Sequence, residues 1–299
     1  MTRPIYELLA NGQKIIIPGR RGSYLITQSL KENVFKAHID GTSIPVMVKT
    51  PAHPVLYERE ASVYEFDCIK RSPYIRSQRE VTENNQCMVF EWMGCDLWSL
   101  RNKQQSSNSL FLKTVASSVL NALVAFLDMD GNGAAVHTDV NPNNILVSEA
   151  SSASPSVKLA DLEGLIPAGE HREHRLQGFS IRAPEIWMGH APSSACDVWS
   201  LGLAHFISGR PLFGVADVNF KVSSVPLATS QAACSIAKII QLIGSISRHE
   251  SPQFSKEFDL AERLVEQKTL PMTPLEEELC NRQVERGGQQ QSKHWNTLG

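Results

Sequence analysis

The chain has few of the features that mark secreted, membrane-spanning or nucleic-acid-binding proteins. Its six cysteines form no C-x-x-C pair, which argues against a zinc site and favours a reducing compartment. No apolar run approaches the roughly 20 residues of a membrane span, and no run of signal-peptide length opens the chain. The net charge of −2 gives no electrostatic reason to expect nucleic acid or an anionic membrane as a partner. We therefore expect an intracellular protein, cytoplasmic or nuclear or both, that binds neither nucleic acid nor membrane. Its oligomeric state stays open.

The stretch from His137 to Val147 carries the most informative chemistry. It places the carboxylate of Asp139 five positions before the amide of Asn144, which precedes an apolar strand, and a second apolar run ends in Asp161. A loop between two such strands can direct Asp139 at a hydroxyl proton, while Asn144 and Asp161 offer the oxygen ligands that suit Mg²⁺. Each residue alone would equally suit a turn. Together they indicate phosphoryl transfer.

The order of these residues resembles the catalytic loop and metal-binding aspartate of eukaryotic protein kinases. Two later stretches, Arg182-Ala-Pro-Glu185 and Asp197-x-Trp-Ser-x-Gly202, resemble the close of that family's activation segment and the start of a long helix. The resemblance extends over roughly residues 24–250. It implies a bilobal α+β fold, with a small antiparallel-sheet lobe that holds one helix and a larger, mainly helical lobe.

The resemblance also implies a division of the chain. Residues 1–23 are predicted to be a lead-in or an extra edge strand, residues 24–270 the kinase-like domain, and residues 271–299 a disordered tail. The small lobe is predicted to end near residue 93 and the large lobe to follow from residue 94. The family's closing helices are not recognisable, which predicts a truncated or diverged large lobe.

Lys49 ends an apolar strand and resembles the family lysine that holds the α and β phosphates of ATP. A lysine at a strand end also commonly extends its ammonium to water without any function. The expected ion-pair partner of Lys49 is Glu60, with Glu58 as the alternative, on a helix within residues 57–70. A second helical pattern, from Leu110 to Met129, predicts a buried amphipathic helix.

Two further segments are expected to hold the nucleotide. By resemblance, Phe90 borders the adenine pocket, and the backbone groups of Glu91 and Met93 bond adenine. Asp96 is expected to bond the ribose, and it could equally cap a helix.

The phosphate-covering loop departs from the family. Aligned on Val34, the three glycine positions fall on Thr27, Ser29 and Glu32. Thr27, Ser29 and Val34 would line the nucleotide, yet side chains at glycine positions obstruct the approach of backbone N–H groups to phosphates.

Three other departures concern the catalytic residues. Asn141 stands where Ser/Thr kinases usually have a lysine, so it can hydrogen-bond the transferred phosphate without supplying charge. Glu163 replaces a glycine and is either a metal-proximal ligand or a solvated loop residue. Thr138 replaces an arginine, and residues 162–179 contain no Ser, Thr or Tyr, which implies that phosphorylation does not switch this segment.

Three functions follow from these residues. The first is an ATP- and Mg²⁺-dependent Ser/Thr protein kinase, with Asp139, Lys49 and Asn141 as catalytic residues. The second is a pseudokinase that acts as a binding module, and the third is a small-molecule phosphotransferase. The His-Thr-Asp sequence resembles small fungal SR-protein-specific kinases, which implies Arg/Ser-rich protein substrates. A basic cluster at residues 171–175 either contacts an acidic or phosphorylated peptide or is a solvated face.

Overall fold

A computed structural model describes most of the chain: residues 14–51, 53–82, 87–101, 103, 108–152, 154–202, 212–214, 220–270, 272–278 and 280. The chain divides into two compact units. The first contains the segments up to Asp96, Ser117–Ala134 and Asn144–Leu165; the second contains Leu97–Ala116, Ala135–Asn143 and the chain from Ile166. The predicted lobes are contiguous, whereas these units interleave along the chain. The predicted domain boundaries therefore stay predictions.

A six-stranded sheet is the main element of the first unit. Its strands are β1 (Ile16–Gly19), β2 (Gly22–Lys31), β3 (Val34–Ile39), β4 (Pro45–Lys49), β5 (Gln78–Val81) and β6 (Met88–Glu91). They pair antiparallel in the order β1-β2-β3-β4-β6-β5, with β1 at one edge. Alternating residues of β2 and β3, such as Tyr24, Ile26 and Phe35, enter one apolar core because successive side chains of a strand point to opposite faces.

Two helices of the first unit occupy the stretch where one was predicted. They are α1 (Pro54–Val63) and α2 (Asp67–Arg71). Pro54 suits the first turn of α1, where a missing N–H costs no hydrogen bond. The backbone leaves the helical conformation at Phe66, which ends the predicted single helix. A three-stranded sheet completes this description: β7 (Cys95–Asp96), β9 (Ile145–Ser148) and β10 (Ser156–Leu159), in the order β10-β9-β7.

The second unit is mainly helical. Its short strands β8 (Ala135–Val136) and β11 (Ile166–Pro167) pair with each other. Its helices are α4 (Pro184–Trp187), α5 (Ser194–Ser200), α6 (Leu227–Ile243) and α7 (Ser255–Glu266), with single 3₁₀ turns at Trp98–Leu100 and Pro252–Phe254. Helices α6 and α7 share one apolar core, in which Ala233, Ala237 and Ala261 are fully buried. An antiparallel sheet with separate helices confirms the predicted α+β class.

Helix α3 (Ser109–Val124) corrects the prediction for Leu110 to Met129. Val115, Val119 and Leu123 are buried, but Leu120, Val124 and Leu127 are 42%, 60% and 53% exposed. The first three repeat every four residues on one face. Leu120 and Val124 fall beside that face and Leu127 lies beyond the end of the helix, so the apolar pattern is wider than the contact.

Residues 275–278, inside the predicted tail, are helical, and residues 281–299 lie outside the described residues. Among the helices in the described ranges, none is both long and apolar enough to cross a membrane.

Candidate functional site

Lys49, at the end of β4, forms an ion pair with Glu60 of α1. The Lys49 Nζ atom lies 2.6 Å from Glu60 Oε2, and their side chains are 19% and 2% exposed. Burial raises the pKa of the Glu60 carboxyl, and the Lys49 ammonium counteracts that rise. Burial alone would lower the pKa of Lys49, but Glu60 and Asp161 raise it above its ordinary range. Lys49 therefore stays charged, and of the two predicted partners it is Glu60 that contacts it.

Two more carboxylates reach the same ammonium. Lys49 Nζ lies 3.1 Å from Asp161 Oδ1 and 3.1 Å from Glu163 Oε2. Asp161 has a φ of 66° and begins the 3₁₀ turn Leu162–Gly164. That left-handed backbone is uncommon for a residue with a side chain, although aspartate tolerates it better than most. It places Asp161 and Glu163 on one side of the turn, so Glu163 is an ion-pair partner of Lys49, a contact that neither of its two predicted roles included.

The predicted metal-binding residues lie at one end of the β9–β10 ladder. Ile145 pairs with Leu159, and the next amide, that of Ala160, donates to the Asn144 carbonyl oxygen at 2.9 Å. Asn144 and Asp161 therefore flank the same ladder end. Carboxylate oxygens of Glu60, Asp161 and Glu163 also lie within 4.8 Å of one another. This oxygen-only set fits Mg²⁺, and the Lys49 ammonium among the three carboxylates balances part of their charge.

In the second unit, Asp197 of α5 holds the loop that carries Asp139. Its carboxylate accepts the backbone N–H groups of His137, at 2.6 Å, and Thr138, at 2.9 Å. Asp197 is 2% exposed. Burial raises its pKa, while His137 and the two N–H groups lower it. Thr138 has a φ of 65°, a strained value for a β-branched residue, and the two bonds to Asp197 hold it there.

Asn141 contacts the same loop through both ends of its amide. Its Nδ2 atom donates to the Asp139 carbonyl oxygen at 3.3 Å, and its Oδ1 atom accepts the Asn143 N–H at 2.8 Å. The Asp139 N–H in turn donates to His137 Nδ1 at 3.2 Å. Asn141 thus shapes the backbone around Asp139, a contact within the loop that its predicted role at the transferred phosphate did not include.

The predicted adenine-binding segment is already hydrogen-bonded. The Glu91 carbonyl oxygen accepts Arg76 Nε at 3.1 Å and Nη2 at 2.9 Å, and the Glu91 N–H donates to Ser77. Burial lowers the pKa of Arg76 to about 10, and Glu91 is among the groups that oppose this shift. An adenine bonded by the Glu91 carbonyl oxygen would share that acceptor with Arg76. The sequence gives no signal for this contact, because Arg76 belongs to no motif.

Met93 and Asp96 follow this segment. Met93 is buried and lies 3.4 Å from the Ser148 hydroxyl. Asp96 belongs to β7 and pairs in register with Leu146 of β9. It therefore lies in a strand that ends just before the 3₁₀ turn Trp98–Leu100, and its two predicted roles, at the ribose and as a helix cap, stay predictions.

The predicted phosphate-covering segment is a β2–β3 hairpin. Val34 pairs with Lys31 and Lys49, and the strand register skips Thr27 and Leu30. The Thr27 hydroxyl donates to the Lys36 carbonyl oxygen, and the Ser29 hydroxyl to that of Lys31. Both hydroxyl groups therefore donate to backbone carbonyl oxygens of the same hairpin. The roles of Thr27, Ser29 and Val34 at a nucleotide stay predictions.

The structure thus gathers the predicted residues in two groups. Lys49, Glu60 and Asp161 meet in the first unit, with Asn144 at the adjoining ladder end. Asp139 and Asn141 share one loop of the second unit.

The protein kinase domain family matches residues 34–270 of this chain. That match spans more than half of the chain and agrees with the Lys49–Glu60 pair and the braced Asp139 loop. The chain therefore belongs to the protein kinase domain family, as the motifs predicted. The predicted bilobal kinase-like fold class is confirmed with it.

Similar proteins carry kinase names. One is the serine/threonine-protein kinase prpf4B of Dictyostelium discoideum, 34% identical over 136 residues, or 44% of this chain and 16% of that relative. Another is the human dual specificity tyrosine-phosphorylation-regulated kinase 3, 32% identical over 134 residues, 44% of this chain and 22% of the relative. A third is the serine/threonine-protein kinase ppk15 of Schizosaccharomyces pombe, 32% identical over 133 residues, with shares of 44% and 24%.

The chain spans less than a quarter of the length of these three relatives, with shares of 16% to 24%. Their names include both serine/threonine-protein and dual specificity kinases. The narrower likeness to SR-protein-specific kinases stays a prediction.

Proposed function

We propose that this chain transfers the γ-phosphate of ATP to Ser or Thr hydroxyls of a protein substrate. The observation that carries the proposal is the ion pair of 2.6 Å between Lys49 and the buried Glu60. A glutamate that is 2% exposed is costly without a cation, so this pair fixes the ammonium at one place. A fixed ammonium can position phosphate oxygens, and positioning supplies most of the catalysis in phosphoryl transfer.

Each residue has a role in one balanced step. The Asp139 carboxylate accepts the proton of the substrate hydroxyl, whose oxygen forms a bond to the γ-phosphorus. The bond between that phosphorus and the β–γ bridging oxygen breaks, and ADP leaves with the electron pair. Lys49 donates hydrogen bonds to phosphate oxygens, and Asn144 and Asp161 would hold Mg²⁺. When bound, Mg²⁺ neutralises the charge that develops on the phosphates.

A binding module without turnover is the second candidate. The observation that favours it is that two residues predicted to bind the nucleotide already contact other side chains. Lys49 contacts Glu163, and the Glu91 carbonyl oxygen accepts a hydrogen bond from Arg76. Such a protein would keep the kinase fold and bind partners without transferring phosphate.

Transfer of labelled γ-phosphate from ATP·Mg²⁺ to basic and Arg/Ser-rich peptides separates the two candidates. We expect transfer by the unmodified chain and none by Asp139→Ala or Lys49→Ala. Asp259→Ala is the matched control, because Asp259 is exposed on α7 and contacts Arg248 at the surface. A folded chain that transfers nothing would leave the binding module.

The substrate class and the compartment are part of the same proposal. We infer Arg/Ser-rich protein substrates from the resemblance of the His137-Thr138-Asp139 sequence to SR-protein-specific kinases. We infer the cytoplasm, the nucleus or both from the use of ATP and from the six cysteines, which are all free thiols.

A further inference from the structure

The second unit contains a polar cavity that the proposed function does not use. Its volume is about 640 Å³, and the basic segment of residues 171–175 forms one wall. We call it the histidine cavity because four imidazoles line it. The basic residues of its lining are His171, Arg172, His174, Arg175, His190 and His249.

Arg175 has unused hydrogen-bonding capacity in this cavity. Its side chain is 8% exposed, and its Nη1 atom forms an ion pair with Glu257. Its Nε and Nη2 atoms are buried and have no acceptor among the residues that the structure describes. The rings of Phe254 and Trp187 lie 3.7 Å and 4.9 Å from the guanidinium carbon, measured to the ring centres.

Two rings at a guanidinium do not satisfy its N–H groups, and buried donors without acceptors are costly. The Nε and Nη2 groups lie on one edge of the guanidinium plane, the edge that binds two oxygens of one anion side by side. An anion at this edge would remove that cost. Arg175 is therefore a buried cation with two N–H groups that could still bind a second anionic partner.

His249 supplies a further donor. Its Nδ1 atom accepts the Ser251 N–H at 2.9 Å, so the neutral ring carries its proton on Nε2. The ring packs against Gly189, where an added Cβ would lie 2.4 Å from Nε2. Gly189 also has a φ of 88°, which a side chain would strain. The absence of a side chain at Gly189 therefore leaves the space that the His249 ring occupies in the cavity wall.

Acidic side chains in and beside the histidine cavity reduce its positive charge. Glu173 lines the cavity, Glu170 pairs with Arg172 at 2.6 Å, and Glu257 pairs with Arg175. The net charge is therefore modest, and recognition depends on the number and direction of N–H donors. A phosphate monoester, with three acceptor oxygens and a charge near −2, matches several convergent donors better than a single carboxylate does.

We propose that the histidine cavity binds a phosphorylated side chain of the protein substrate, with Arg175 as its principal contact. The phosphorylated residue cannot belong to the segment that lines the cavity, because residues 162–179 contain no Ser, Thr or Tyr. This inference rests on the proposed function for its choice of a protein substrate.

Titration of labelled peptides tests the proposal without ATP. The probe is a fluorescein-labelled Gly/Ala peptide with one phosphoserine, compared with its unphosphorylated and glutamate analogues by fluorescence anisotropy. We expect the phosphopeptide to bind the full chain at least about tenfold more tightly than either analogue, because phosphate can accept from several donors. Equal affinity for the three peptides, or no binding of the phosphopeptide, would overturn the proposal.

Two variants and one control locate the binding. Arg175→Lys keeps the charge but removes the pair of N–H groups that can bind two oxygens of one phosphate. We therefore expect the preference for phosphate to fall about tenfold. Gln253→Glu adds a carboxylate at an exposed position of the cavity wall, where folding is undisturbed, and should weaken phosphopeptide binding about fivefold. Arg248→Gln removes a surface charge outside the cavity and should change nothing.

A preference that survives both Arg175→Lys and Gln253→Glu would place the phosphate elsewhere and overturn the proposal. Failure of the proposed function is separable, because no ATP is present. A chain that prefers phosphopeptide but transfers no phosphate contradicts only the kinase activity. A chain that transfers phosphate without that preference contradicts only the histidine cavity.

Discussion

Lys49 and Arg175 are both poorly exposed cations, yet they differ in how fully their charges are matched. The Lys49 ammonium lies within 3.1 Å of three carboxylates, those of Glu60, Asp161 and Glu163. The Arg175 guanidinium has one carboxylate, that of Glu257, and two buried N–H groups without acceptors in the described part of the chain.

The difference predicts how each cation meets an anionic ligand. A phosphate at Lys49 competes with carboxylates that already hold the ammonium, so part of its binding energy is lost in displacing them. A phosphate at Arg175 would add hydrogen bonds at Nε and Nη2, which have no acceptor among the described residues. We therefore expect the site at Lys49 to bind the phosphates of a nucleotide more weakly than its charge suggests. We expect the histidine cavity to bind a phosphorylated side chain more tightly than its charge suggests.

The largest expected effect comes from Lys49→Met. It removes the cation from Glu60, whose side chain is 2% exposed, and an uncompensated buried charge costs about 3–5 kcal/mol. We expect lower stability in urea unfolding and transfer at least about 100-fold slower. The double variant Lys49→Met/Glu60→Gln should recover most of the stability and none of the transfer. Transfer by the double variant would show that Lys49 holds no phosphate.

Glu257→Gln is expected to have the next largest effect. It leaves the buried Arg175 guanidinium without its carboxylate, and we expect a loss of about 2–3 kcal/mol in unfolding free energy because the aromatic contacts remain. Glu262→Gln is the matched control. Its pair with Arg248 is nearly half exposed on both sides, so the expected loss is below about 1 kcal/mol. Equal losses in the two variants would contradict the buried role of Arg175.

Glu163→Gln is expected to have the smallest effect, and it decides whether Glu163 competes with phosphates for Lys49 or binds the metal. If Glu163 competes with phosphates for Lys49, its removal should raise ATP·Mg²⁺ affinity about two- to fivefold, since its side chain is 39% exposed and such pairs are weak. Calorimetric titration measures the change, with Glu65→Gln, at an exposed ion pair of the same unit, as the control. Weaker binding would instead indicate that Glu163 is a metal ligand.

Local sequence order predicted the parts of the site that lie on one element or on paired neighbours. Asp139 and Asn144 share one loop-to-strand segment, and Asp161 follows β10, which pairs with β9. The order of these residues and its resemblance to the kinase motifs were therefore enough to predict them. Lys49 and Glu60 are 11 residues apart, on a strand and the helix after it. The antiparallel sheet of the first unit and the strand that Lys49 ends were predicted as well.

Contacts between distant segments were beyond prediction. Glu163 and Lys49 are 114 residues apart, and Arg175 and Glu257 are 82 apart, so neither pair leaves a local pattern. The bond from Arg76 to the Glu91 carbonyl oxygen depends on how two segments pack. The exposure of Leu120 and Val124 likewise depends on which arc of α3 has a neighbour, which periodicity does not specify.

The most direct test of the kinase proposal measures ATP·Mg²⁺ binding and phosphate transfer in the same samples of unmodified chain and Asp139→Asn. Asparagine keeps the size and shape of the aspartate side chain and both backbone bonds of residue 139 within the loop, so the variant should fold and bind ATP·Mg²⁺ with unchanged affinity. Because it lacks the proton acceptor, we predict transfer at least about 100-fold slower than in the unmodified chain. Equal transfer rates, or an unmodified chain that binds ATP·Mg²⁺ without transferring phosphate, would contradict the assignment.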